Sequence, residues 1–135
     1  MDFPSMGGSM SACHGPERRS SGHRSRPINR RRSHMIIITG CVRLRPENCD
    51  EGARICHEHS VRSRKEEGCI SHDCSVDIED GNLVRFIERW ADMAALQQHF
   101  AVPESGAFVQ QVAAMASAPP EIAIYSAEAV EGAPF

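Results

Sequence analysis

Aromatic side chains are scarce in this chain of 135 residues, with one Trp, one Tyr and five Phe. Long hydrophobic runs are missing too. The longest, Met35 to Thr39, has strand length and falls far short of the roughly 18 apolar residues that a membrane span needs, so no membrane partner is expected. The basic start of the chain lacks the apolar stretch of a secretory signal. Without one, the six cysteines read as reduced thiols in the cytoplasm rather than as a disulfide framework. No Cys-x-x-Cys pair occurs, which excludes a zinc knuckle. No repeat period or coiled-coil heptad is present.

What is there suits one soluble domain, since 41% of the residues are apolar and 24% charged. A net charge of −3 hides an asymmetry. Residues 1–34 hold seven Arg against Asp2 and Glu17, whereas residues 35–135 hold eight Lys or Arg against sixteen Asp or Glu. The acidic part should repel phosphate backbones, so no nucleic-acid partner is expected. Residues 1–34 are rich in Ser, Gly, Arg and Pro and have almost no aliphatic side chains. They cannot bury enough apolar surface to offset the entropy of ordering, and the expectation is a disordered basic leader. Three other readings compete: nucleic-acid contact through Arg18, Arg19 and Arg30 to Arg32, a transit peptide, and a native start at Met35. Gly7, Gly8, Gly15, Pro16 and Pro27 argue against the amphipathic helix that a transit peptide needs.

From Met35 the pattern is regular. Residues 35–45 read as a strand stopped by Pro46, and residues 48–66 as a helix with Gly68 as its C′ residue, although Gly52 interrupts a thin stripe of Ala53, Cys56 and Ser60. Residues 69–80 alternate, with Ile70, His72, Cys74, Val76 and Ile78 on one face and Cys69, Ser71, Asp73, Ser75 and Asp77 on the other. Asp80-Gly81-Asn82 reads as a hairpin turn into a strand over 82–90, which places Val84, Phe86, Glu88 and Trp90 on one face. Asp92 caps a short helix bearing Met93, Leu96 and Phe100. Pro103 opens another with Phe108, Val112 and Met115 at helical spacing, ended by Pro119-Pro120. Residues 121–130 form a last strand. The order is βαββαβ, an α+β ferredoxin-like domain over 35–131 with a four-stranded antiparallel sheet and a short tail at 132–135. Both faces of the first, third and fourth strands carry apolar side chains, and a homodimer packed sheet against sheet would cover the face without helices.

Several features match a known family: the opening MIIITGCVRLRP, the corner Glu67-Gly68-Cys69 and the strand end Phe86-Ile87-Glu88-Arg89-Trp90. The Ala94-Ala95-Leu96 helix, the His99-Phe100 pair and the Phe108 helix follow in order. From Met35 to about Val130 the chain resembles the antibiotic biosynthesis monooxygenase domain, which includes quinol monooxygenases and anthrone oxygenases. The resemblance implies a dimeric α+β barrel and oxidation of a small aromatic substrate, a hydroquinol or an anthrone, by O₂ without a cofactor. A deprotonated phenol can itself give an electron to O₂, so the protein must supply an apolar pocket, a proton acceptor and a donor that steadies the anion. The alternative is a non-catalytic dimeric module of the same fold that binds a small aromatic or protects against reactive compounds.

The resemblance assigns Trp90 to the pocket wall, with core packing as the competing use of a lone Trp. Glu88 shares its strand face and becomes a candidate base if apolar neighbours raise its pKa, or a structural partner of an Arg. His99 sits where the family often has His and is the other candidate base. Thr39, Cys41, His59, His72, Phe86, Phe100 and Phe108 complete the expected substrate contacts. Haem-degrading relatives carry Asn where this chain has Cys41 and His where it has Val112, so haem degradation is disfavoured. Some anthrone oxygenases have Asn where Phe86 stands, which weighs against a polyketide substrate. Cys56-His57-Glu58-His59 with Cys69, His72 and Cys74 hold enough soft ligands for zinc, but alternation points Cys69 away from His72 and Cys74, and helix geometry separates His57 from Cys56 and His59. No metal site is expected.

Overall fold

The computed structural model of the chain describes residues 34–130 and Gly132. The leader up to residue 33 and most of the tail lie outside the described residues, and so do the readings made of them. The element order is β1 (His34–Arg43), a 3₁₀ turn (Pro46–Asn48), α1 (Cys49–Ser63), β2 (Cys69–Val76), β3 (Leu83–Trp90), α2 (Met93–Ala101), α3 (Pro103–Met115) and β4 (Glu121–Glu128). The strands form one antiparallel sheet in the order β2-β3-β1-β4. This is the ferredoxin-like α+β arrangement, with the helices layered on one face. Among the described residues no helix is long and apolar enough to cross a membrane.

Strand register decides what meets the helices. Ile36, Ile38, Gly40 and Val42 of β1 pair with Trp90, Glu88, Phe86 and Val84 of β3, so these eight share the inner face. Two apolar clusters grow from it. Ile36, Ile38 and Trp90 pack with Ala95 and Leu96 of α2. Val42, Leu44 and Val84 pack with Cys56 of α1 and Val112 of α3. Gly52, which looked like a defect in the first helix, permits this second cluster: a Cβ there would sit 2.5 Å from a methyl of Leu44.

The local signals explain most boundaries. The Asp92 carboxylate accepts a 2.8 Å bond from Ala95 N–H and caps α2, while Pro103 opens α3. Four expectations need correcting. Helix α1 ends at Ser63, not at residue 66, and Gly68 serves instead in the following corner with φ of 81°. A β-bulge between Cys69 and Ser71 resets the alternation of β2, so Cys69 pairs with Trp90 and joins the face of His72 and Cys74, while Ile70 is half exposed. β2 stops at Val76, because Asp77 turns the chain by accepting the N–H groups of Glu79 and Asp80, which leaves Ile78 exposed. Finally, α2 buries Ala95, Leu96 and His99 rather than Met93 and Phe100, both of which lie largely in the open.

Among the described residues, the outer face of the sheet carries no helix. Ile37, Thr39 and Cys41 of β1 align there with Ile87 and Arg85 of β3 and with Ala123 and Tyr125 of β4. Ile87 is 51% and Tyr125 52% exposed.

Candidate functional site

The inner face opens into a cavity of about 100 Å³ between the sheet and α3. Ile38, Val42, Phe86, Phe108, Val112 and Ile122 form its walls, and Glu88 contributes the one acidic group that also reaches the interior of the domain. Gly40 lies between Phe86 and Ile122 in the sheet, and its lack of a side chain leaves room there. The walls are apolar because β1 and β3 present every second side chain to this layer and α3 presents Phe108 and Val112 at helical spacing.

Behind Glu88 lies a buried polar group. His72 stands opposite Glu88 across the β2–β3 ladder, and its Nε2 comes within 3.3 Å of Glu88 Oε1 without the alignment of a hydrogen bond. His72 Nδ1 is 3.0 Å from Ser60 Oγ of α1. Trp90 Nε1–H donates to Glu88 Oε2 at 2.9 Å. His99 of α2 donates from Nδ1 to Glu66 Oε2 at 2.7 Å, and Arg62 donates to Glu66 Oε1 at 2.7 Å. Arg62 also donates to Ser105 Oγ and to His59 Nδ1, which must accept because a guanidinium has only donors. His59 stacks on Phe108 with ring centroids 3.8 Å apart and planes parallel within 1°.

Electrostatics follow from this packing. Burial pushes the His59 imidazole down to about 3, and electrostatic interaction with His72, His99 and Arg62 acts the same way against a smaller pull from Glu88. The raised pKa expected at Glu88 needs a correction. Burial favours its neutral form, but the His72 ring, the Trp90 N–H and the electrostatic influence of His99 outweigh that, and the carboxyl is held below its ordinary range rather than above it. Glu88 is therefore an ionised acceptor. Burial, with Cys74 nearby, pushes the Cys56 thiol up to about 12, so it behaves as a small apolar side chain.

The expected contacts divide into two sets. Glu88, Phe86 and Phe108 line the cavity, which Cys41 also borders, and His59, His72, His99 and Trp90 gather behind it. Trp90 is fully buried and does not form the cavity wall assigned to it; it packs in the core and holds Glu88. Thr39 and the Cys41 side chain belong to the outer face of the sheet and cannot join the histidines. Phe100 is half exposed and does not line the cavity, its ring 5.6 Å from that of His99. Arg62, Glu66 and Ser105 were not singled out from the sequence, and Ser60 was read only as part of the buried stripe of the first helix. Arg62 and Glu66 stand four apart, a spacing that pairs charges on a helix face and was their only local signal.

The comparisons with known proteins agree with this architecture. Residues 35–111 match the antibiotic biosynthesis monooxygenase family. An uncharacterised protein of Synechocystis, sll1783, is 32% identical over 90 residues, which are 67% of this chain and 61% of that protein. YcnE of Bacillus subtilis, provisionally named a monooxygenase, is 26% identical over 88 residues, or 65% of this chain and 93% of that protein. A solved structure from Deinococcus radiodurans, assigned to the same monooxygenase type, superposes with a TM-score of 0.69 at 18% identity and covers 73% of this chain and 97% of its own. At that identity the superposition speaks for the fold, while the match over residues 35–111 speaks for descent. The chain belongs to the antibiotic biosynthesis monooxygenase family.

Proposed function

We propose that this protein is a monooxygenase that oxidises a hydroquinol- or anthrone-like aromatic with O₂, using no redox cofactor. One observation supports this most: a buried carboxylate set into a mainly apolar cavity whose other acid, Glu121, is exposed, with a histidine behind it whose Nε2 lacks a hydrogen-bond partner. The walls exclude water and take up the aromatic ring, and Glu88 accepts the hydrogen bond of its hydroxyl. Glu88 is a weak base at its lowered pKa, so the proton it draws off passes to His72 Nε2. Trp90 and Ser60 act as positioning residues for Glu88 and His72. For an anthrone-like carbon, deprotonation gives a carbanion that transfers an electron to O₂. Recombination forms a C–O bond, and loss of water from the hydroperoxide leaves a carbonyl. The balance is SH₂ + O₂ → SO + H₂O, with one oxygen atom kept in the product.

His99 is the less favoured acceptor, because it does not line the cavity and its Nδ1 is committed to Glu66. The apolar outer face, which no described residue covers, supports a second copy of the chain as the partner. The test is oxygen uptake by chelator-treated protein with a panel of hydroquinols and anthrones, comparing wild type with Glu88→Gln, His72→Gln and His99→Gln. The expected result is saturable uptake that falls about 100-fold or more in Glu88→Gln, the scale of a general base, and less in His99→Gln. Uptake at the spontaneous rate across the panel would sink the oxygenase and favour a binding module of the same fold.

A further inference from the structure

Three histidines from three elements converge in the interior: His59 from α1, His72 from β2 and His99 from α2. One ring nitrogen of each lies within 4.8 Å of the others, and all three residues are buried. Their Nδ1 atoms are all engaged, with Arg62, Ser60 and Glu66 respectively. That leaves Nε2 as the nitrogen each can offer, and His72 Nε2 is a buried atom without a hydrogen-bond partner. Three convergent imidazoles are an expensive way to fill a core that Leu or Val would fill better, and an unpaired buried nitrogen adds to that cost.

We propose that His59, His72 and His99 form a binding site for a divalent transition-metal ion such as Zn²⁺ or Co²⁺, with the Glu88 carboxylate as a neighbouring oxygen ligand. Nitrogen ligands suit these ions. Around a tetrahedral ion bound at about 2.0–2.1 Å the nitrogens lie roughly 3.4 Å apart, so separations of up to 4.8 Å must shorten by about 1.4 Å at most, a movement shared among the three rings. The carboxylate–histidine–metal pattern is already built at His99, where Glu66 fixes the proton on Nδ1 and frees Nε2. Ser60 can do the same for His72. His59 is the ligand that must adjust. Its Nδ1 now accepts from Arg62, and binding through Nε2 needs the proton on Nδ1, so Arg62 must release it. The guanidinium keeps its bonds to Glu66 and Ser105 when it does. A groove of about 250 Å³ between α1 and α3, lined by His59, Arg62 and Phe108, gives the ion a way in. On the oxygenase reading, the ion would compete with the substrate proton for the Glu88–His72 pair.

The test is calorimetric titration of Zn²⁺ and Co²⁺ into the chelator-treated full chain, followed by the Co²⁺ visible spectrum. The expected result is one ion per chain and a spectrum of nitrogen and oxygen ligation without thiolate charge transfer. His72→Ala and His99→Ala should each abolish saturable binding, and circular dichroism reports whether these variants stay folded. Glu66→Gln keeps the shape of the side chain, touches no ion, and should weaken binding about 10- to 100-fold. A thiolate band, an affinity unchanged in folded His72→Ala and in Glu66→Gln, or no saturable binding in wild type would each overturn the site. None of these readouts uses activity, so the loss of the metal site would leave the oxygen chemistry standing, and the loss of that chemistry would leave the site standing.

Discussion

The two faces of the sheet invert the usual order of burial. The face under the helices holds an ionised glutamate and three histidines alongside its aliphatic side chains. The face without helices exposes Ile87 and Tyr125 among ion-paired arginines such as Arg85, bound to Asp77 at 2.6 Å. Buried charge and exposed large apolar side chains are the two departures from ordinary packing that carry information. Inside, the polar groups are held by a network spanning α1, β2, β3 and α2, which costs desolvation and returns a fixed arrangement of acceptors. Outside, the apolar side chains await cover. On the proposed function, one face serves chemistry and the other association.

The largest effect that separates the faces should come from Trp90. Trp90→Ala removes a fully buried indole and the N–H that holds Glu88, and should cost about 3–5 kcal/mol in urea unfolding. Trp90→Phe keeps most of the volume and should cost less, roughly 1–3 kcal/mol for the lost bond to a buried carboxylate. On the outer face Tyr125→Ala should change unfolding of the monomer by well under 1 kcal/mol. Equal costs at Trp90 and Tyr125 in dilute protein would remove the contrast.

The second effect belongs to the open face. A charge set into an apolar contact between copies is left buried and unpaired, so Ile87→Lys should turn a dimer into a monomer in sedimentation equilibrium while leaving the helix side intact. Its neighbour across β1 is Thr39, on the same side of the sheet. A wild-type chain that sediments as a monomer at every concentration would refute the second copy as partner.

How far the chain could be read before its structure depended on the range of each signal. The strands and helices follow from local periodicity, from the cap at Asp92 and from the prolines at 46 and 103, and all of these act within a few residues. The bulge in β2 was invisible because Cys69-Ile70-Ser71 alternates as well in one register as in the next, and only pairing with Trp90 selects the face. On helix α2 Leu96 was legible, but Met93 and Phe100 were grouped with it because they are more apolar than Ala95 and His99, yet a polar partner, Glu66, waits beneath the helix. Glu88, Phe86 and Phe108 were legible as cavity residues. The meeting of His59, His72 and His99 was not, because it rests on contacts between elements 13 to 40 residues apart in sequence, and no spacing rule covers that range.

The third effect is a pH dependence of the inner face. His59 falls from an ordinary 6.5 to about 3 on folding, with burial the first cause. The unfolded chain therefore binds a proton at this position between about pH 3 and 6.5 that the folded chain refuses. Stability should rise with pH across that window and gain nothing more from His59 above it. Urea midpoints measured from pH 4 to 8 should show the rise, and His59→Gln should flatten part of it. A wild-type profile falling across the window would contradict the neutral, buried imidazole.

The smallest effect concerns thiol reactivity, and it compares the faces residue by residue. Cys56 points into the inner layer with no exposed surface, its thiol raised to about 12, whereas the Cys41 side chain lies on the outer face and is partly exposed. Alkylation needs both access and thiolate. With excess iodoacetamide at pH 8, Cys41 should be modified while the protein is folded, and Cys56 only as fast as the chain unfolds. Peptide mass mapping over time reads both sites in one sample. If a second copy covers the outer face, Cys41 labelling should slow as protein concentration rises and recover in Ile87→Lys, while Cys56 stays unmodified throughout. Rapid labelling of Cys56 in folded protein would show that the layer under the helices is open, and the inversion between the faces would then fail at its buried side.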